Sequence, residues 1–348
     1  MRVAIVWHGL PAYAARLIRS VSAVNELDLQ VFGTHSPESP EYLEDVAGKP
    51  ITWVTPETAD ALAVDLNADV CFVSGWAFPE CNVLARTARR RGAGVVAMID
   101  NRWRGDLRQQ LGRVYFRLRL KRSIDYAWVP GESGEQLCRS LGFSAERISQ
   151  GLYGGDPDMF CPRPGRPRPP RIGFVGQLIH RKGFDLLVPA FQQLKAAFPD
   201  YELHVFGRGS LAPLATGVPG LTLHSFAKPD EIACAMREFR MFVMPSRDDN
   251  WPLALHEAAL SGCAIVTTRN VGNAAELVRP KNGVVVAAGK LDALVAGLRN
   301  VAGWSADQFR AAEGVSRRLA EDFGPARWRQ EFLRICEIVH RSRQVDRQ

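Results

Sequence analysis

The chain contains no run of roughly 18 uncharged apolar residues, the length that a membrane-spanning helix needs. Its first residues, Arg2-Val3-Ala4-Ile5-Val6-Trp7, are too short for the apolar part of a secretion signal and run into His8, Gly9 and Pro11, so they read as a first strand. Cysteine is sparse: seven residues, an odd number, with no Cys-x-x-Cys pair. That argues against a disulfide framework or a zinc ribbon and for reduced thiols in the cytoplasm. Lysine is also scarce, only seven of the 44 basic residues, so arginine carries most of the net charge of +7. A basic excess suits nucleic acid, an anionic membrane or an anionic small molecule. No zinc-finger spacing, aromatic RNA-binding signature or basic-zipper pattern accompanies it, which sets nucleic acid aside.

What is present is alternation. Apolar runs of strand type recur between helical segments, the pattern of parallel sheets wound by helices. In the first half they fall near 3–7, 29–32, 70–73, 94–99 and 126–129; in the second near 171–175, 202–206, 221–224, 241–244 and 264–267. Between the halves, residues 161–170 hold five prolines, a composition incompatible with helix or central strand. The expected organisation is therefore a first α/β domain over 1–160, a linker over 161–170, a second α/β domain over 171–320 and a helical tail over 321–348. At 348 residues and 46% hydrophobic composition, two cores are affordable. The tail carries Trp328, Phe332 and Ile335 on one helical face.

The densest information lies in Pro245-Ser246-Arg247-Asp248-Asp249-Asn250-Trp251-Pro252-Leu253-Ala254-Leu255-His256-Glu257-Ala258-Ala259-Leu260-Ser261-Gly262. It reads as a strand end, an acidic loop and a helix. Pro252 fits the first helical turn, where its missing N–H costs nothing, and Gly262 fits the end. Amides at Trp251, Leu253 and Ala254 then face outward as an anion site, with Glu257 in reach of a hydroxyl beside that anion. A diphosphate joining a ribose to another sugar has this layout.

At these residues the chain resembles the retaining glycosyltransferases of family 4, whose signature is an acidic residue, seven others and a glutamate opening a helix. Asp249 and Glu257 have that spacing. Downstream, Ala264-Ile265-Val266-Thr267-Thr268 resembles the family's next strand, Val271-Gly272-Asn273-Ala274-Ala275-Glu276 its glycine loop, and Asn282-Gly283 its following turn. Residues 151–160 resemble the segment before its hinge. The resemblance implies the GT-B fold: two Rossmann-like, doubly wound parallel-sheet domains facing across a cleft, with the C-terminal helix crossing back to the first. It implies that Glu257 holds the ribose hydroxyls and that Asp249, rather than Asp248, lies at the transferred sugar.

The family also places an arginine and, five positions later, a lysine on the donor diphosphate. Here Lys182 stands at the second position and Gln177 at the first, so either Arg181 supplies the second charge or the diphosphate is held less tightly. Val205-Phe206-Gly207-Arg208-Gly209-Ser210 is similar to the turn that shapes the nucleotide pocket, and 226–229 to the loop that meets the base. Asn250 adjoins the amide site, and Gly9 stands in the loop after the first strand, where the family is richer in glycine. Asp100 occupies the place of a family histidine; it would bind a sugar hydroxyl or receive the acceptor's proton, with His8 as the other candidate. The expected donor is a UDP- or GDP-type nucleotide sugar, and no cofactor or metal is expected. Asp156-Pro157-Asp158 matches a manganese-binding pattern but not at a donor strand end.

Residues 102–122 hold eight basic side chains and one acidic, Asp106. Arg113, Arg117 and Lys121 share one helical stripe; Leu107, Leu111 and Leu118 share another with Tyr115. Such a helix either lies peripherally on an anionic membrane or packs its leucines on the sheet. The reading is a cytoplasmic glycosyltransferase in polysaccharide or glycolipid synthesis, acting on a glycan, a lipid-linked sugar or a small molecule. Two alternatives are a GT-B sugar-nucleotide epimerase and a catalytically silent sugar-nucleotide-binding or membrane scaffold protein.

Overall fold

The computed structural model describes residues 1–36, 39–75, 77–163, 165–224 and 227–345. The chain divides into two compact units, residues 1–154 joined by the helix Pro325–Val345, and residues 155–324. Pro164 of the proline-rich run lies outside the described residues; Arg168 ties that run to the second unit through the carbonyls of Phe239 (2.8 Å) and Ser261 (2.5 Å).

The first unit is built on seven parallel strands: β1 (Arg2–Trp7), β2 (Asp28–Thr34), β3 (Thr52–Val54), β4 (Val70–Ser74), β5 (Gly94–Met98), β6 (Tyr126–Trp128) and β7 (Ile148–Ser149). Their order is β3-β2-β1-β4-β5-β6-β7. A parallel sheet is covered on both faces, so its strands alternate between two cores rather than between core and water. In β1, Val3, Ile5 and Trp7 enter one core, while Ala4 and Val6 enter the other. Pro325–Val345 seals the first face with Trp328, Phe332, Ile335 and Val339, all buried. Its indole Nε1 at Trp328 donates to the Leu152 carbonyl at 2.9 Å. The helix lies so close to β5 that a Cβ at Gly94 would sit 2.2 Å from Val339 Cγ1.

The second unit has six parallel strands: β8 (Arg171–Val175), β9 (Glu202–Phe206), β10 (Leu221–His224), β11 (Met241–Met244), β12 (Ala264–Thr268) and β13 (Gly283–Val286). Their order, β10-β9-β8-β11-β12-β13, reverses between β8 and β11. The connections leaving those two strands diverge there, which opens a crevice at their carboxyl ends where such sheets bind ligands. All ten expected strands are present. Three short ones, β3, β7 and β13, were not expected; β13 is hidden because Asn282-Gly283 reads as a turn when it in fact starts a strand. Among the described residues no helix is long and apolar enough to cross a membrane.

Candidate functional site

The loops leaving β8 and β11 meet because glycine lets them. At Gly183, φ is +73° and a Cβ would stand 2.1 Å from the Pro245 carbonyl oxygen. Any other residue would push the turn His180–Lys182 away from the acidic loop. On the other side, a Cβ at Gly207 would lie 1.9 Å from the Gly176 oxygen, and Leu178 donates to the Arg208 carbonyl at 2.9 Å. The turn after β9 is thereby locked to the turn after β8.

Across this contact Lys182 Nζ reaches Asp249 Oδ2 at 2.5 Å, with Ser246 Oγ donating to the same oxygen at 3.4 Å. Arg181 stands 3.9 Å from Asp249 Oδ1 and donates to the Asp248 carbonyl at 3.0 Å. Arg247 braces the junction. Its guanidinium grips both oxygens of Asp185 at 2.7 Å and the His180 carbonyl at 2.7 Å, and its amide donates to the Arg181 carbonyl at 2.8 Å. Asp249 is buried, whereas Asp248 is half-buried.

The acidic loop is held from its far side by the end of β12 and the loop after it. Thr268 Oγ1 donates to the Ser246 carbonyl (2.6 Å), Asn270 Nδ2 to that of Arg247 (2.8 Å) and Asn273 Nδ2 to that of Pro252 (3.0 Å). Asp249 donates its N–H to Asn270 and accepts from the Gly272 amide at 3.0 Å. A Cβ at Gly272 would fall 1.6 Å from the Asn250 oxygen, so only glycine fits.

The helix that follows spans Leu253–Leu260, and Pro252 stands just before it with extended backbone angles, one position earlier than expected. The consequence is the same. Proline offers no side-chain oxygen and no side chain caps the helix; Leu255 donates to the Pro252 carbonyl at 3.2 Å, which leaves the amides of Leu253 and Ala254 placed for an external acceptor. Glu257 is the helix's one acidic side chain and is half-buried, one turn in from Leu253. Trp251 is buried against Phe323, ring centroids 5.5 Å apart, and Asn250 is half-buried. His256 is wholly buried; its Nε2 donates to the Ala320 carbonyl at 2.8 Å, and burial pushes its pKa down to about 4, which keeps it neutral. Gln177 is exposed in the loop after β8. Phe226, first residue of the expected base-contacting loop, lies outside the described residues.

Gly9 and Asp100 belong to the first unit. Gly9 turns the chain after β1 with φ +58° and donates to the Thr34 carbonyl at 3.1 Å. His8 beside it stacks on Phe78 at 3.4 Å, with Nδ1 2.8 Å from Thr34 Oγ1 and 3.1 Å from Glu80 Oε1. His8, Glu80 and Cys81 are the one cluster of potential metal-ligating side chains among the described residues. Burial pushes the Cys81 thiol up to about 12, so a thiolate ligand is disfavoured there. Asp156 Oδ1 accepts from the amides of Asp158 (3.1 Å) and Met159 (3.2 Å), capping a turn. Asp100 has its pKa raised by burial, against the lowering pull of a hydrogen bond from Tyr153, and Tyr153 in turn bonds Tyr13. Burial lifts Tyr13 to about 12, so both phenols stay protonated at neutral pH. This Tyr13–Tyr153–Asp100 chain was not expected, nor was the Arg247–Asp185 brace. The sequence signal for the brace is only a charge of each sign in loops whose strands must first be known to be neighbours.

Residues 169–303 match the protein family described as glycosyl transferases group 1. An uncharacterized glycosyltransferase of Haemophilus influenzae is 26% identical over 156 residues, 43% of this chain and 44% of that protein. The chain spans about half the length of the curated relatives it matches. Among solved structures, Anabaena Alr3699/HepE in complex with UDP and glucose superposes with a TM-score of 0.78 at 16% identity, over 96% of this chain and 98% of that one. The sucrose-phosphate synthase of Thermosynechococcus elongatus superposes with a TM-score of 0.75 at 12% identity, over 98% of this chain and 100% of that one. The two parallel-sheet units have the GT-B fold, and the match of the second unit to glycosyl transferases group 1 supports a glycosyltransferase family for this chain.

Proposed function

We propose that the protein is a retaining glycosyltransferase of family 4 that moves a hexose from a nucleotide sugar, UDP-linked in the first instance, to an acceptor hydroxyl without a metal. The observation that carries this reading is the Lys182–Asp249 pair at the β8/β11 crevice, set beside an uncapped helix that bears Glu257. Lys182, Arg181 and the amides from Trp251 to Ala254 supply positive charge and donors for a diphosphate, which is what a departing nucleotide needs. Gln177 adds a neutral donor at the same loop, and Asn250 flanks the amides. Glu257 takes the ribose hydroxyls and Asp249 the sugar ring. The departing phosphate oxygen accepts the proton of the acceptor hydroxyl on the same face, so the new glycosidic bond keeps the anomeric configuration and no enzyme nucleophile forms a bond. Asp100, whose pKa burial raises, is the acceptor-side carboxyl in this reading. The seven free thiols suit a reducing, cytoplasmic setting.

Calorimetric titration with UDP and UDP-glucose, paired with turnover, tests the division of labour. Glu257→Gln removes uniform binding and should weaken both ligands alike by about 1.5–3 kcal/mol. Asp249→Asn should lower turnover and discrimination between donors, while UDP binds as well as before or better, because Lys182 loses its neutralising partner. Equal loss of UDP and donor affinity in Asp249→Asn would overturn these roles. An inverted anomer in the product, or loss of activity on chelation, would overturn the mechanism. An altered sugar nucleotide released without acceptor would make the protein an epimerase.

A further inference from the structure

In the segment 102–122 of the first unit, Leu120 packs against the core but Leu107, Leu111 and Leu118 do not. Leu107, Leu111, Val114, Tyr115 and Leu118 are 75, 65, 52, 56 and 72% exposed, and no residue of the helix Leu107–Tyr115 is buried. Their spacing of i, i+4, i+7, i+8 and i+11 puts them on one helical stripe, so this is a continuous apolar ridge. Phe116, at the start of the π-helical turn Phe116–Leu120 and 5.9 Å from Phe143, anchors the segment together with Trp103 and Leu120, which pack against the same core. The helix is properly begun, Asp106 Oδ1 accepting from the Gln109 amide at 2.8 Å, so the ridge belongs to a formed helix rather than a loose end.

Where the segment ends, Lys121 and Arg122 join Ser144 and Arg147 around a cavity of about 330 Å³. Asp125 also borders it, but its carboxylate faces Arg89 at 2.9 Å, Arg343 and the Val95 amide, which take up its charge. Lys121 lies over the Phe143 ring at 4.2 Å, and burial and then Arg147 lower its pKa against the raising pull of Asp125; a bound anion would act in the same direction as Asp125. An apolar ridge, basic flanks and a cationic cavity at one end match the chemistry of one surface: acyl chains beneath anionic headgroups. A protein partner would supply discrete acidic side chains to a ridge, but nothing in the ridge itself offers them polar partners.

We propose that this face docks on an anionic lipid bilayer, with Leu107, Leu111, Val114, Tyr115 and Leu118 entering the interface and a headgroup phosphate seated among Lys121, Arg122 and Arg147. The proposal is independent of the transfer reaction. The full chain is sedimented with phosphatidylcholine vesicles, with and without phosphatidylglycerol, at low and high salt. Binding should require phosphatidylglycerol and weaken as salt shortens the Debye length. Arg122→Gln with Arg147→Gln, both exposed in the protein, should lower affinity about fivefold per charge, the equivalent of about 1 kcal/mol each. Leu111→Ser with Leu118→Ser should abolish sedimentation while melting temperature and UDP binding stay unchanged. Inorganic phosphate at matched ionic strength should leave vesicle binding in place. A wild-type protein that stays in the supernatant at low salt overturns the proposal, as does equal binding to neutral vesicles or a leucine variant that still sediments. Displacement by inorganic phosphate would move the cavity to a soluble anion. A wild-type dimer that the leucine variant converts to monomer, without vesicle binding, would assign the ridge to a second copy of the chain.

Discussion

Replacing Lys182 with methionine removes the cation against which Asp249 is packed. The two side chains are only 14% and 10% exposed, so water cannot replace the lost partner. Breaking a buried ion pair from one side costs about 3–5 kcal/mol, most of it the penalty of an uncompensated charge. Asp249 would keep Ser246 Oγ at 3.4 Å and Arg181 at 3.9 Å, both too distant to compensate fully, which places the expected loss near the lower end, about 3 kcal/mol. For a unit of this size, that is a fall of roughly 6–12 °C in melting temperature. The double variant Lys182→Met/Asp249→Asn deletes both charges and leaves no orphan. It should therefore be more stable than the two single losses added together, by a coupling of about 1–3 kcal/mol. Scanning calorimetry on the four proteins of the cycle measures this directly. Additivity within about 0.5 kcal/mol would show that the pair does not hold the two loops together, and the site built on it would fall with it.

Acidification should weaken the second unit through His256. Burial holds its folded pKa at about 4, below the ordinary 6.5, so the stabilisation is complete above 6.5 and fades as pH falls from there to 4, by up to about 3 kcal/mol. His256→Gln should flatten urea-denaturation stability over that window, and an unchanged pH slope would refute the assignment. Gly272→Ala must displace the Asn250 carbonyl and should cost more than about 3 kcal/mol and weaken UDP binding, whereas Gly217→Ala, at φ +70° with open space around it, should cost only about 1 kcal/mol; equal effects would mean the loop contact is not tight. Trp328→Ala, which empties a buried site and orphans the Leu152 carbonyl, should destabilise the first unit by about 3–5 kcal/mol in the same denaturation assay.

Much of this protein is written in short-range patterns. The strands were legible because parallel sheets need apolar residues on both faces, and Val70–Ser74 or Met241–Met244 can be little else. The acidic loop and the helix after it were legible because glycine, proline and acid stand at spacings that a helix start imposes. Trp328, Phe332 and Ile335 share a face because of the 3.6-residue repeat, and they line the core as that repeat requires. Edge strands of two or three residues, such as β7 and β3, escaped because they are too short to show a period.

What the sequence by itself determined is local: where ten of the apolar strands lie, where glycine and proline must stand, and that 107–118 has an apolar stripe. Tertiary structure decided which residues meet. Lys182 and Asp249 are 67 positions apart and pair only because β8 and β11 are neighbours in the sheet, while Gly183 lets their loops touch. The same holds for Asp185 with Arg247 and for Tyr13 with Tyr153 and Asp100. It also decided that the stripe of Leu107, Leu111 and Leu118 faces outward. Periodicity shows that a helix has an apolar side; only the packing of the rest of the chain shows whether anything is left to cover it.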